Sequence, residues 1–292
     1  MNTIDLHMHS IASLDGQFTT QELIDIAHKQ NLTIMAIADH NSTKAYQQDY
    51  ELNGIKLIPA IELDCVLEDV DYHLLGYFIQ PFDEVYHQIE DDILTQERNA
   101  SSKRLELLTK HLHIAVDLKE LNRLSKENIY VPETICEVAM KDERNKDNPF
   151  LQPYFQGGNR SDNPYVNFYW DFCSQGKIAY TKINFMSMQE AIHLIHKQDG
   201  IAVLAHPGNN VKEKEERLRA LAQVGLDGIE VYSSYHSKEQ TAFYQQFALE
   251  HHLLQTCGSD FHGKTKPKVQ MGQCQMPASE EVKLRHYLEE RR

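Results

Sequence analysis

The chain has 292 residues, 41% of them hydrophobic and 25% charged, which is enough apolar content for a large core and excludes a disordered polymer. Its net charge of −14, from 29 basic and 43 acidic residues, argues against a protein that tracks long nucleic acid by charge, and bound divalent cations would offset part of it. The five cysteines are odd in number and contain no C-x-x-C pair, no apolar run approaches the roughly 20 residues of a membrane span, and the start does not read as a leader, so a cytoplasmic protein without disulfides is expected.

Short runs rich in Ile, Leu, Val or Tyr predict seven strands, at 3–6, 33–38, 56–61, 72–78, 201–205, 228–232 and 253–257. Helical spacing predicts helices over 20–30, with Thr19 or Thr20 as cap, and over 187–198, 212–224 and 237–251. Strands alternating with helices imply parallel βαβ units, and seven of them suggest a barrel rather than an open sheet. The alternation fails over 83–179. Helices are expected there at 83–112, 118–124 and 132–141, followed by an Asn-, Pro- and Gly-rich exposed loop over 145–163. The organisation expected is a barrel made of 1–82 and 180–292, with a mostly helical insertion, 83–179, between strands 4 and 5. Long insertions in such barrels enter on the loop face, so this one is expected to cap the site.

Polar residues with metal-ligand chemistry sit at or near the ends of these strands. His7 and His9 follow the first run at i and i+2, and therefore point to one face. An H-x-H pair alone is a weak signal, but this one leads into a loop carrying Asp15-Gly16. Asp39-His40 ends the second run. Side chains of neighbours on a strand point to opposite faces, so His40 is read as a ligand and Asp39 as a residue that orients one. Glu62 follows an apolar run and suits a bridging carboxylate. His73 lies inside a strand, His206 ends another and precedes Pro207, and Asp260 and His262 follow the last. A lone core histidine such as His73 is usually a hydrogen-bonded packing residue; a whole set of candidate ligands at the strand ends is a different matter, because the ends of barrel strands converge in space. The remaining ten histidines are read as solvated surface residues.

The stretches His7-Met8-His9-Ser10, Asp15-Gly16, Asp39-His40, Ile61-Glu62-Leu63, His73 to Tyr77, Leu204-Ala205-His206-Pro207, Gly228-Ile229-Glu230-Val231-Tyr232 and Gly258-Ser259-Asp260-Phe261-His262-Gly263 resemble the PHP (polymerase and histidinol phosphatase) superfamily. Their order and spacing look most like its stand-alone 3′,5′-nucleoside bisphosphate phosphatase branch. The resemblance spans 4–77 and 180–264. It implies an α/β fold, a distorted (β/α)7 barrel, with up to three divalent metals (Mn²⁺, Fe or Zn²⁺) in a trinuclear centre. One ion would be held by His7, His9, Glu62 and Asp260, a second by Glu62, His73 and His206, and a third by Asp15, His40 and His262. A carboxylate at Asp15, where some relatives have His, favours harder cations.

The activity implied is hydrolysis of a phosphomonoester by a hydroxide bridging two ions. The substrate would be a 3′,5′-nucleoside bisphosphate or the end of a short oligoribonucleotide. Among the ligands, His206, His262 and Asp260 are the catalytic candidates, with His206 or His262 as a proton donor to the leaving oxygen and a water on the third metal as an alternative to both. Lys182, Arg160 and Lys264 are the candidate cations for phosphate, and Tyr154, Phe155 and Tyr232 are aromatics that could stack on a base. A small phosphorylated substrate is the partner expected, with no membrane and no long nucleic-acid tract. Three rivals stand beside this reading. Histidinol-phosphate phosphatase is disfavoured by the short gap from Glu62 to His73 and by the insertion. An amidohydrolase-type C–N hydrolase would typically close with a lone strand-end Asp rather than Asp260-Phe261-His262. A non-catalytic metal-dependent regulatory module should have lost ligands.

Overall fold

A computed structural model describes residues 1–291. Among these residues the seven expected strands are present, as β1 (Ile4–Asp5), β2 (Ile34–Ile37), β3 (Lys56–Leu67), β4 (Val70–Tyr77), β6 (Ile201–Leu204), β7 (Gly228–Ser233) and β8 (Leu254–Gly258). A short β5 (Met186–Ser187), not expected, pairs with β3. The sheet runs β1-β2-β3-β4-β6-β7-β8. Hydrogen bonds from Leu6 N to Cys257 O (3.0 Å), His9 N to Phe261 O (2.9 Å) and Asp260 N to His7 O (2.8 Å) tie its two edges together, giving a nearly closed α/β barrel.

The expectation of uniformly parallel βαβ units fails at one place. β3 and β4 form an antiparallel hairpin, and β4 pairs antiparallel with β6. The cause is a two-residue turn, Glu68-Asp69, with φ of +51° and +61°. Positive φ at both central residues is the conformation that joins twisted antiparallel strands. The usual Asn-Gly signature is absent, so the sequence reads as two strands with a gap at 62–71 where one hairpin runs through.

Helices cover the outside of the barrel. α1 (Thr20–Lys29), α6 (Met188–His196) and α9 (Lys238–Glu250) each begin with a reciprocal capping box, Thr19 with Glu22, Ser187 with Glu190 and Ser237 with Gln240. Their apolar faces bury Leu23 and Ile24, Ile192 and Ile195, and Tyr244 and Phe247 against the strands. The helix expected over 212–224 begins later, as α8 (Glu215–Gln223), after a single turn α7 (Pro207–Asn210). A helix not expected, α10 (Ala278–Glu290), ends the described chain.

Between β4 and β5 lie α2 (Glu84–Leu112), α3 (Leu118–Leu124), α4 (Pro132–Lys141) and α5 (Pro164–Phe172). They enclose a separate apolar cluster that includes Leu108, Ile135, Leu151, Tyr154 and Phe168. The stretch 145–163 is a packed segment rather than a wholly exposed loop. Leu151 and Tyr154 are buried in that cluster, and Asn145 donates to Ala115 O and Ala139 O at 2.7 Å each.

Candidate metal centre

The alternation of β-structure brings the ligand candidates to one rim of the barrel. His7 and His9 extend from β1, His40 from β2, His206 from β6, and Asp260 and His262 from β8. Glu62 and His73 lie within the β3–β4 hairpin rather than at strand ends, where the register sets Asp64 opposite His73. Two of the candidate ligands sit on unusual backbone, His206 at φ +22° and Asp260 at φ +57°. Non-glycine residues hold such conformations only where their surroundings fix them. Here His206 N donates to Glu230 Oε2 (2.8 Å) and Asp260 N to His7 O. Gly258 is required for packing: a Cβ there would stand 2.1 Å from Glu230 Oε1 and 2.2 Å from His7 Cβ.

Glu62 is the centre of the cluster. Its Oε1 lies 2.9 Å from His73 Nδ1 and 3.0 Å from His206 Nε2. Its Oε2 lies 3.2 Å from His7 Nε2, His9 Nε2 and His40 Nδ1. Asp260 Oδ1 stands 3.2 Å from His9 Nε2, 3.3 Å from His262 Nδ1 and 3.6 Å from His7 Nε2. Asp15 Oδ2 meets His262 Nε2 at 3.2 Å. Two donors each about 2.1 Å from one ion stand roughly 3.0–3.4 Å apart in octahedral or tetrahedral geometry, the spacing seen here. Asp15 Oδ1, His40 Nδ1, Glu62 Oε2, His206 Nδ1, Asp260 Oδ1 and His262 Nε2 are all buried without a hydrogen-bond partner. So many unpaired buried polar atoms in one place would be costly unless cations meet them. The donor set is nitrogen and oxygen, and all five cysteines are buried free thiols, so the chemistry suits borderline and hard divalent ions. The residues fit such ions.

Electrostatics agree. Burial pushes the carboxyls of Glu62, Asp260 and Asp15 up, but the surrounding imidazoles, with Lys266 for Asp260, hold all three well below the usual carboxylate range. They are ionised and ready to bind cations. Burial and the neighbouring His262 and His40 depress His9 to about 3, leaving it neutral. His7 and His73 are desolvated as well, yet Glu62 and the other carboxylates raise them, His73 to about 9.

The candidate ligands are themselves oriented. His7 Nδ1 meets Glu230 Oε1 at 3.0 Å, which turns Nε2 toward Glu62. His9 Nδ1 meets Ser13 Oγ at 3.0 Å, and that hydroxyl donates to Asp39 Oδ1 at 2.7 Å. Asp39, buried, also accepts from Ser10 N, Ser10 Oγ and Ser13 N. His73 Nε2 lies 3.2 Å from Asp64 Oδ1, and Asp64 is held in turn by Asn41 Nδ2 at 2.7 Å. Such carboxylate–imidazole contacts fix the tautomer and raise ligand basicity. His236 is not a surface residue: it is buried, hydrogen bonded to Val231 O, and accepts from Gly208 N behind His206.

Glu230, Asp64 and Lys266 escaped the sequence reading. Glu230 stood in a quoted motif without a role, and Asp64 follows Glu62 at i+2 on the same strand face, a signal that was available. Lys266 is buried, with Nζ 2.6 Å from Asp260 Oδ2 and 5.4 Å from the centre of the Tyr235 ring. The cations singled out from sequence are not among the residues lining the cavity over this cluster. Arg160 forks onto Asp171 (2.9 and 3.0 Å), Lys264 pairs with Glu137 (2.7 Å), and Lys182 is exposed.

A cavity of about 220 Å³ opens over the cluster, and Asp15, His40, His73, His206 and Asp260 line it. Helices α2, α4 and α5 contribute Arg104, Glu133, Tyr169 and Trp170, and the barrel adds Tyr180, Phe185, Tyr235 and Lys266. Residues 145–163 are not among those lining it, so the helices of the insertion, not that segment, form the roof. Tyr154 and Phe155 pack in the insertion's own cluster and Tyr232 in the barrel core, so the aromatics facing the cavity are different ones. No helix among the described residues is long and apolar enough to cross a membrane.

The PHP domain family model matches residues 5–198. The chain is 26% identical over 279 residues to the 5′-3′ exoribonuclease Rnm of Escherichia coli, covering 92% of this chain and 87% of that one. It is 24% identical over 273 residues to a 3′,5′-nucleoside bisphosphate phosphatase of Chromobacterium violaceum, covering 90% and 88%. A solved structure from Bifidobacterium adolescentis, described as a metal-dependent phosphoesterase, superposes with a TM-score of 0.73 over 96% of this chain and 94% of that one, at 24% identity, which bears on the fold.

Proposed function

This chain belongs to the PHP domain family and is a metal-dependent phosphoesterase, and from that premise we propose that it hydrolyses the phosphomonoester of a 3′,5′-nucleoside bisphosphate. The observation that carries the reading is the buried His/Asp/Glu cluster with its unpaired donor atoms, set at the floor of a cavity with aromatic walls and buried cations. His7, His9, Glu62 and Asp260 would hold one ion, Glu62, His73 and His206 a second, and Asp15, His40 and His262 a third. Mn²⁺, Fe or Zn²⁺ all suit this donor set. Bound there, divalent ions supply Lewis acidity to the phosphoryl oxygens and a nucleophile from water at neutral pH.

The chain's own residues do the rest. Lys266 and Arg104 are the buried cations lining the cavity, paired with Asp260 (2.6 Å) and Glu97 (2.8 Å), and a dianionic phosphate would share them with those carboxylates. Tyr169, Trp170, Tyr180 and Phe185 offer faces on which a base can stack. Glu133, at the start of α4, is pushed up to about 8 by burial and by Asp15, so at neutral pH it carries a proton over the site. His206 and His262 remain candidates for proton transfer to the leaving oxygen, and Asp260, which would hold an ion, is paired with Lys266 at 2.6 Å. A short 5′-phosphorylated RNA is a second candidate substrate, favoured by the likeness to the Escherichia coli exoribonuclease.

The test is inorganic phosphate release by Mn²⁺-loaded protein from 3′-phosphoadenosine 5′-phosphate, beside histidinol phosphate and a 5′-phosphorylated RNA trimer. Release from the bisphosphate at a kcat/KM at least tenfold above histidinol phosphate is expected. Preference for histidinol phosphate would overturn the substrate assignment. Conversion of the trimer to mononucleotides, without action on the bisphosphate, would move it to RNA ends.

A further inference from the structure

Lys126 lies in the insertion between α3 and α4, and the active-site cavity does not include it. Its ammonium nevertheless reaches across to the barrel. Nζ donates to Gly16 O (2.6 Å), Ser13 O (2.7 Å) and Ile11 O (3.2 Å). A lysine ammonium has three donors and no acceptor, so all of its hydrogen-bonding capacity is used on one loop. The three carbonyls converge on a single point. Without a cation there, three dipoles would face one another with their negative ends together, and the loop would relax.

That loop carries Asp15. Its intrinsic bonds are few: Ser13 N to Ser10 O (3.2 Å), Gly16 N to Ser13 O (3.3 Å) and Ile11 N to Phe18 O (2.8 Å). From the barrel side, Thr265 Oγ1 donates to Asp15 O at 2.6 Å. Buried Asp39 also holds the start of the loop, accepting from Ser10 N, Ser10 Oγ, Ser13 N and Ser13 Oγ. From the insertion side, Lys126 adds the bonds to Ile11, Ser13 and Gly16 O, and so reaches the residue after Asp15 that Asp39 does not hold. The insertion also holds the segment after β8 through the Glu137–Lys264 ion pair. Gly16 packs so closely that a Cβ would stand 1.9 Å from Ser10 O, so the loop has one tight conformation to hold or to lose.

We propose that Lys126 is a positioning residue that makes the ion site at Asp15, His40 and His262 conditional on the docked helical insertion. It acts by fixing the carbonyls on either side of Asp15 and so the carboxylate's approach to His262. The inference rests on the metal-centre reading given above, and adds to it that the occupancy of one site is set by a residue of the insertion that touches neither ion nor substrate. The insertion is thereby more than a roof: its seating and the completion of the centre become one event.

The experiment titrates metal-stripped wild-type, Lys126→Met, Asp15→Ala and double-variant proteins with Mn²⁺, reading stoichiometry and stepwise affinity by calorimetry and elemental analysis. Hydrogen exchange of amides 10–17 in the metal-free proteins gives a readout that needs no ion. Lys126→Met is expected to weaken the ion lost in Asp15→Ala by at least tenfold, to leave the other two within twofold, and to speed exchange of the loop at least tenfold. The double variant should bind no more weakly than Asp15→Ala alone, since residues acting through one contact are not additive. Unchanged exchange in the loop, or losses that add in the double variant, would overturn the role of Lys126. A wild-type protein that binds no ion, with the loop exchange still dependent on Lys126, would instead overturn the metal-centre reading.

Discussion

Replacing Glu230 by Gln keeps the shape of the side chain and removes one acceptor. Glu230 is wholly buried and uses both oxygens, Oε1 on His7 Nδ1 at 3.0 Å and Oε2 on His206 N at 2.8 Å. A carboxylate accepts from both; an amide has one oxygen and one NH₂. If the amide oxygen faces His206 N, its NH₂ meets Nδ1 of His7, which must then give up its proton. The imidazole adopts the other tautomer, and Nε2–H points at Glu62 where a lone pair is needed. If the amide is flipped, His7 keeps its tautomer but the NH₂ faces the donor of His206, whose backbone at φ +22° depends on that bond. The first arrangement keeps both hydrogen bonds but takes the Nε2 lone pair from the ion, while the second loses one buried contact, at about 1–3 kcal/mol. Loss of such a supporting partner costs roughly 10–100-fold in metal affinity, about 1.4–2.7 kcal/mol. Competition against a fluorescent chelator with Mn²⁺ measures this, with circular dichroism to confirm the fold. A folded Glu230→Gln protein whose Mn²⁺ affinity changes by less than threefold would refute the argument that Glu230 sets the tautomer of His7.

Other consequences follow from the same geometry. Asp39→Ala removes an acceptor that serves Ser10 N, Ser10 Oγ, Ser13 N and Ser13 Oγ; with Ser10 N left buried without an acceptor and both hydroxyls losing theirs, a loss of about 3 kcal/mol is expected, read as a fall in Tm of about 5 °C by scanning calorimetry. Gly258→Ala should push His7 and Glu230 apart and lower Mn²⁺ affinity at least tenfold while the barrel still folds; wild-type affinity in that variant would mean the close approach is relieved elsewhere. Glu133 has a carboxyl raised from the ordinary glutamate range to about 8, by burial first and Asp15 second, against the opposing Arg104 and Lys266. A folded state that holds a proton the unfolded chain has released loses stability as pH rises through that window. Metal-free wild-type protein should therefore lose Tm between pH 5 and pH 8, and Glu133→Gln should lose less; parallel curves would sink the assignment.

The strands were legible because their cores are short runs of β-formers, and the candidate ligands because a whole set of imidazoles and carboxylates at or near the ends of such runs is hard to account for by packing. The β3–β4 hairpin was not, since its Glu68-Asp69 turn lacks Asn-Gly and each half reads as a strand of its own. Positive charge was the hardest to place. Arg160, Lys264 and Lys182 look free in sequence, yet two are satisfied by Asp171 and Glu137 and the third faces solvent. Lys266 and Arg104, which do reach the cavity, differ from other basic residues only in what the fold buries around them. Helical spacing over 83–141 marked most of the insertion, but α5 follows a run of Asn, Gly and Pro that reads as loop.

The most direct test is a metal titration of phosphate release. Protein stripped by chelator is reloaded with Mn²⁺ and assayed on 3′-phosphoadenosine 5′-phosphate beside Asp260→Ala, which lacks a carboxylate oxygen within 3.2 Å of His9 and 3.3 Å of His262. Activity absent from the stripped protein, restored as Mn²⁺ is added and never restored in the variant, is the predicted result. Release by stripped protein at the loaded rate, or full restoration of Asp260→Ala, would contradict the account.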